Sequence, residues 1–142
     1  ALYNTAAKNA DLALAIAEGV KEINPELILM GLAGSESIKA AQSIGLRTAS
    51  EVFADRAYED DGALRARTKE GSMITDEEEA IKRVLRMVKE GKVTAYSGKD
   101  IDIKADSICV HGDGEKALLF VQKIRETLSA NGVEITAIKN FV

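Results

Sequence analysis

Leu46-Arg47-Thr48-Ala49-Ser50-Glu51-Val52-Phe53-Ala54-Asp55-Arg56-Ala57-Tyr58-Glu59-Asp60-Asp61-Gly62 joins two unlike segments. Leu46 to Phe53 reads as a buried strand. Beyond it, acids, arginines and a tyrosine crowd a connection that runs past Arg65 and Arg67 until a helix opens near Thr75. Connections in compact α/β chains are short as a rule, and long ones are either functional or disordered. This one keeps Phe53, Tyr58, Leu64 and Met73 among its charges, and such apolar anchors favour order.

Outward from that strand, helical and extended patterns alternate. Upstream, a helical pattern begins at Ala1, and Leu12, Ile16, Val20 and Ile23 fall on one helical face. Asn24-Pro25 stops it, Leu27 to Met30 is a short apolar run, and Ile38, Ala41 and Ile44 mark a short helix ended by Gly45. Downstream, Thr75 and Glu78 form a capping box, followed by Ile81, Val84, Leu85 and Val88 at helical spacing up to Gly91. Ser107 to Val110 is a continuous apolar strand. Ala117, Val121, Ile124 and Leu128 mark a last long helix capped near Gly132, and Val133-Glu134-Ile135 reads as a final short strand. Apolar strands without a polar–apolar alternation, interleaved with helices, predict an α/β fold with a parallel sheet covered by helices. Val93 to Ile103 breaks the alternation: Ser97-Gly98-Lys99-Asp100 is a turn signal for a small hairpin. No internal repeat or low-complexity linker divides the chain, so residues 1–142 read as a single domain.

Composition narrows the function. The 142 residues are 46% hydrophobic and 30% charged, a globular balance, with aliphatic residues and alanine filling the core because aromatics are only 4%. A net charge of −4 without any basic block predicts no nucleic-acid partner. The apolar runs are too short to cross a membrane. One cysteine, Cys109, excludes an intrachain disulfide and fits a reducing, cytoplasmic location. The chain opens without Met, directly in a helical pattern. This reads as a fragment or processed piece whose preceding strands are absent.

In parallel-sheet folds, functional groups gather where strands end. Two strands end in polar clusters here: Glu51 to Arg56, and His111-Gly112-Asp113 after Cys109-Val110. His111 is the chain's one histidine and can act as general acid, base or metal ligand; Asp113 can orient it or cap the next helix. The plainer alternative is a histidine closing a strand beside an N-cap. Glu51 and Asp55 are acid/base candidates and, with Asp113, could hold a divalent metal. Arg56 suits a carboxylate or phosphate, because its planar fork binds oxyanions in pairs. The alternative for Arg56 is an internal ion pair with Asp55. Gly112-Asp113-Gly114-Glu115-Lys116-Ala117 has dinucleotide-loop spacing, but Asp113 would repel a pyrophosphate. No Walker loop, paired cysteines, His-Glu-x-x-His or Gly-x-Ser-x-Gly is present.

Three segments in order, Ala1-Leu2-Tyr3-Asn4, Glu51 to Tyr58 and Ile108 to Asp113, resemble the LamB/YcsF family, and Arg67 and Gly71 to Ile74 are similar to its stretch after the long loop. The resemblance implies an irregular, seven-stranded TIM-like (β/α) barrel of polysaccharide-deacetylase type, with its N-terminal strands missing from this chain; a full barrel takes ~250 residues. It implies the A subunit of an ATP-dependent 5-oxoprolinase, cytoplasmic, opening the lactam ring of 5-oxoproline to glutamate with two partner subunits. By position, Glu51, Asp55, His111 and Asp113 would be catalytic, and Arg56, Tyr58 and Arg67 would bind substrate. ATP would act in the complex; a divalent metal and a homo-oligomer are left open. Two rivals remain: a metal-dependent, deacetylase-like carbohydrate hydrolase, and a non-catalytic scaffold subunit.

Overall fold

A computed structural model of the chain describes residues 2–112 and 116–142. Its centre is a three-stranded parallel sheet in the order β1 (Ile28–Leu32), β2 (Arg47–Phe53), β5 (Ser107–Cys109). Leu32 pairs with Glu51, and Phe53 with Cys109. The β2 strand therefore has neighbours on both sides, and Thr48 to Ser50, Val52 and Phe53 are buried, in line with its reading as a buried strand. Barrel closure is not seen among the described residues.

Helices α2 (Ala10–Ile23) and α3 (Glu36–Ser43) pack against each other beside β1 and β2 through Ala17, Ala41 and Leu46. The fully buried positions of α2 are the alanines Ala13 and Ala17, whereas Leu12, Ile16 and Val20 are only half-buried. Small side chains let two helices approach closely. Ile23, expected on the buried face, is 83% exposed, at the last position of the helix before its Asn24 cap. A larger cluster of Val52, Phe53, Tyr58, Val84, Met87, Ile124 and Leu128 joins the sheet to α4 (Glu77–Glu90) and α5 (Ala117–Ala130). The interruption is the expected hairpin, β3 (Lys92–Thr94) with β4 (Asp100–Asp102), turning at Gly98 with φ 93°.

Three expectations shift. The opening helical pattern is two helices, because α1 (Leu2–Ala6) stops and Asn9 caps α2 by accepting from the Leu12 N–H at 3.0 Å. The Ala7 carbonyl then accepts from the Glu36 N–H at 3.0 Å, which ties α1 to the start of α3. The cap of α4 is Asp76, accepting from the Glu79 N–H at 2.9 Å, one residue later than the Thr75–Glu78 box. Finally, Val133 to Ile135 is not a strand. The Val133 N–H is taken by the Leu128 carbonyl in the turn that ends α5, so the segment leaves that helix without lying along a sheet edge.

The cap assignment is testable. Asp76→Ala should lower unfolding free energy by about 1 kcal/mol, and Thr75→Ala by no more than a few tenths, in urea titrations. Equal losses would place the cap at Thr75.

Candidate functional site

Parallel pairing of β2 with β5 sets the site. Because Phe53 faces Cys109 in the register, and the Ala54 N–H donates to the Cys109 carbonyl at 3.1 Å, both strands end at one level. Asp55 and His111, each two residues further on, meet there: His111 Nδ1 lies 2.8 Å from Asp55 Oδ2 and 3.0 Å from Oδ1. On the far side of the ring, Arg67 Nη2 is 2.9 Å from His111 Nε2. A guanidinium has no acceptor, so Nε2 must accept and Nδ1 must carry the hydrogen given to Asp55. The imidazole also stacks on Phe53, centroids 5.9 Å apart at 30°, and the Phe53 ring meets Tyr3 edge-on at 6.1 Å.

Helix α1 closes the rim. The Tyr3 hydroxyl donates to Glu51 Oε2 at 2.6 Å. Tyr3, Glu51, Arg56, Arg67, Cys109 and His111 line a cleft of about 480 Å³. Burial and the hydrogen bond to Glu51 hold the Tyr3 hydroxyl well above the ordinary phenol range. Burial, then the charges of Glu51 and Asp55, push the Cys109 thiol up to about 11.

The long connection, residues 54–76, is ordered around Arg56. This side chain is 5% exposed and donates from Nε to the Ser72 carbonyl at 3.3 Å and from Nη2 to the Arg65 carbonyl at 2.6 Å. Antiparallel bridges Arg56–Met73 and Tyr58–Leu64 fold the connection on itself. Arg65 is not a loose surface charge: it pairs with Glu59 at 3.0 Å and lies over the Tyr96 ring, 3.5 Å from its centroid. Burial, then repulsion from Arg67, lowers the Arg56 guanidinium below its ordinary value, with Asp55 opposing the shift. Among the described residues, neither Arg56 nor Arg67 forms a salt bridge to a carboxylate.

Glu51, Asp55, Arg56, Arg67 and His111 are thus brought to one rim. Tyr58 is not: it is 0% exposed, its hydroxyl accepts from the Phe53 N–H at 2.9 Å, and burial raises it to about 12. It supports the end of β2 from below. Asp113, and with it the dinucleotide-like loop, lies outside the described residues. No three His, Cys, Asp or Glu side chains converge as metal ligands among the described residues. Residue-by-residue reading missed Tyr3 as a site residue; the one signal for it was its place in the opening Ala-Leu-Tyr-Asn motif.

The LamB/YcsF family profile matches residues 1–142. The chain belongs to this family. It is 67% identical over 135 residues to the 5-oxoprolinase A subunit of Clostridium beijerinckii, covering 95% of this chain and 53% of that protein. It is 55% identical over 142 residues to the 5-oxoprolinase A subunit of Campylobacter jejuni, covering 100% of this chain and 56% of the relative. The crystal structure of a lactam utilization protein from Thermus thermophilus superposes with a TM-score of 0.85 at 42% identity, covering 96% of this chain and 54% of that one. The chain therefore spans about half the length of the relatives it matches.

The environment of Cys109 predicts its reactivity. Alkylation by iodoacetamide should rise about tenfold per pH unit through the neutral and mildly alkaline range, because only the thiolate reacts. The midpoint should lie near 11, and Glu51→Gln should move it down by removing one of the charges. A plateau at the ordinary thiol value, about 8.5, would show that the thiol does not sense these acids.

Proposed function

We propose that this chain forms part of the A subunit of a 5-oxoprolinase, in which an irregular (β/α) barrel is completed by the remaining length seen in its relatives. The rim of β2 and β5 would then be the ring-opening site. The observation that carries this reading is the Asp55–His111 pair beside two guanidiniums that have no carboxylate partner among the described residues. It joins a base to an anion clamp, and 5-oxoproline presents a carboxylate next to its lactam.

In this mechanism Asp55 keeps the hydrogen on Nδ1, so Nε2 is the basic nitrogen. Nε2 takes a proton from water, the oxygen of that water adds to the lactam carbonyl, and the C–N bond breaks as the ring nitrogen takes a proton. The product is glutamate. Glu51, held by Tyr3, is the second acid/base group at the same carbonyl. Arg67 and Arg56 hold the substrate carboxylate; the bonds that Arg56 makes with Nε and Nη2 keep its fork in place. Tyr58 contributes by fixing the strand end, and Asp113, two residues after His111 in the sequence, would supply a further acid. The described residues that line the cleft include Arg56 and Arg67 and no glycine, a lining that suits a small anion. ATP would activate the lactam oxygen elsewhere in a cytoplasmic complex with two partner subunits.

His111→Ala in the full-length protein, assembled with its partners, should reduce glutamate formation from 5-oxoproline about 10²- to 10⁴-fold without dissociating the assembly. Wild-type turnover in that variant would remove His111 from the mechanism. Turnover of N-acetylated sugars without ATP would instead point to a deacetylase-like hydrolase.

A further inference from the structure

The contact between Arg67 and His111 is at odds with a base that is always ready. The Nε2 lone pair is the one free acceptor of an imidazole whose Nδ1–H is given to Asp55, and Arg67 Nη2 already occupies it at 2.9 Å. While that bond stands, Nε2 cannot take a proton from water. Arg67 is also the less restrained of the two cleft arginines. Arg56 is buried and bonded to two backbone carbonyls, whereas residues 66–71 are all exposed. The backbone bridges that fold the connection lie on either side, at Tyr58–Leu64 and Arg56–Met73. Swinging the Arg67 side chain therefore leaves the fold of the connection intact.

Arg67 has reason to move when an anion arrives. A guanidinium paired with a carboxylate or phosphoryl group makes two charge-assisted hydrogen bonds, stronger than one bond to a neutral ring nitrogen. The repulsion between Arg56 and Arg67 shows that positive charge is concentrated at this place, and an anion between them would relieve it. We propose that Arg67 is a substrate-sensing latch: with the cleft empty it masks His111 Nε2, and an anionic group on the substrate draws it away and frees the base. Cyclic amides that carry a carboxylate or an added phosphoryl group would release the latch, and uncharged lactams would leave it closed. Water would thus be activated only when an anionic substrate is seated. This inference rests on the reading of His111 as the base, but the latch can be observed without turnover.

The test uses Arg67→Met in the full-length protein, with diethylpyrocarbonate as the probe of a free Nε2 and mass spectrometry to locate the modified residue. Carbethoxylation of His111 should be at least about fivefold faster in Arg67→Met than in the wild type. In the assembled complex, 2-pyrrolidinone, the same lactam without a carboxylate, should be opened faster by Arg67→Met than by the wild type, while KM for 5-oxoproline rises. A positioning or binding role alone would slow both substrates. Unchanged or slower carbethoxylation of His111 in Arg67→Met overturns the latch, whatever the turnover. If the wild-type complex fails to open 5-oxoproline while the carbethoxylation difference holds, it is the assigned reaction that fails and the latch that stands.

Discussion

A buried guanidinium must be satisfied by something, and here the backbone does it. Arg56 leaves β2 as the chain turns out of the sheet, and removing its charge from water would be prohibitive without acceptors. The carbonyls of Arg65 and Ser72 supply them. Those two residues sit on opposite sides of the connection's tip, so satisfying one side chain draws the connection into a closed shape. The Ile74 N–H, bonded to the Asp55 carbonyl at 2.8 Å, finishes that closure before α4 begins. Arg67, carried on the tip, arrives over the end of β5 as a consequence.

The rim is built from both of its faces. Below, Tyr58 holds the last N–H of β2 and packs among Val84 and Met87 of α4. Above, α1 brings Tyr3 onto Glu51 and onto the Phe53 ring. Phe53 then stacks on His111. The acids and the imidazole are consequently held by side chains that are themselves fixed by packing, as a site needs if its groups are to keep their geometry. Glu51, Asp55 and Cys109 share this space, and burial together with the charges of the two acids raises the thiol.

Patterns that depend on neighbours along the chain were legible. The Gly91 cap with φ 64° and the Gly98 hairpin follow from local stereochemistry. The polar residues after β2 and β5 could be picked out because parallel strands end on a common side. Expectations failed where the deciding partner is distant. Val133 looked like a strand, yet the Leu128 carbonyl claims its N–H. Ile23 fits the helical stripe, but it is the last residue of α2 and lies exposed. Tyr58 reads as a polar aromatic in an active loop, and its hydroxyl instead serves β2 from within the core.

Residue order alone established an α/β chain with a parallel sheet and named nearly all the polar groups at the strand ends, since periodicity and turn chemistry act over a few residues. It did not say which of those groups touch. That Asp55 holds one nitrogen of His111 while Arg67 holds the other, and that Tyr3 reaches Glu51 across 48 positions, are outcomes of strand register and helix placement. Contacts between residues so far apart are set by how whole elements pack, and packing energy is shared over the entire core rather than written at any one position.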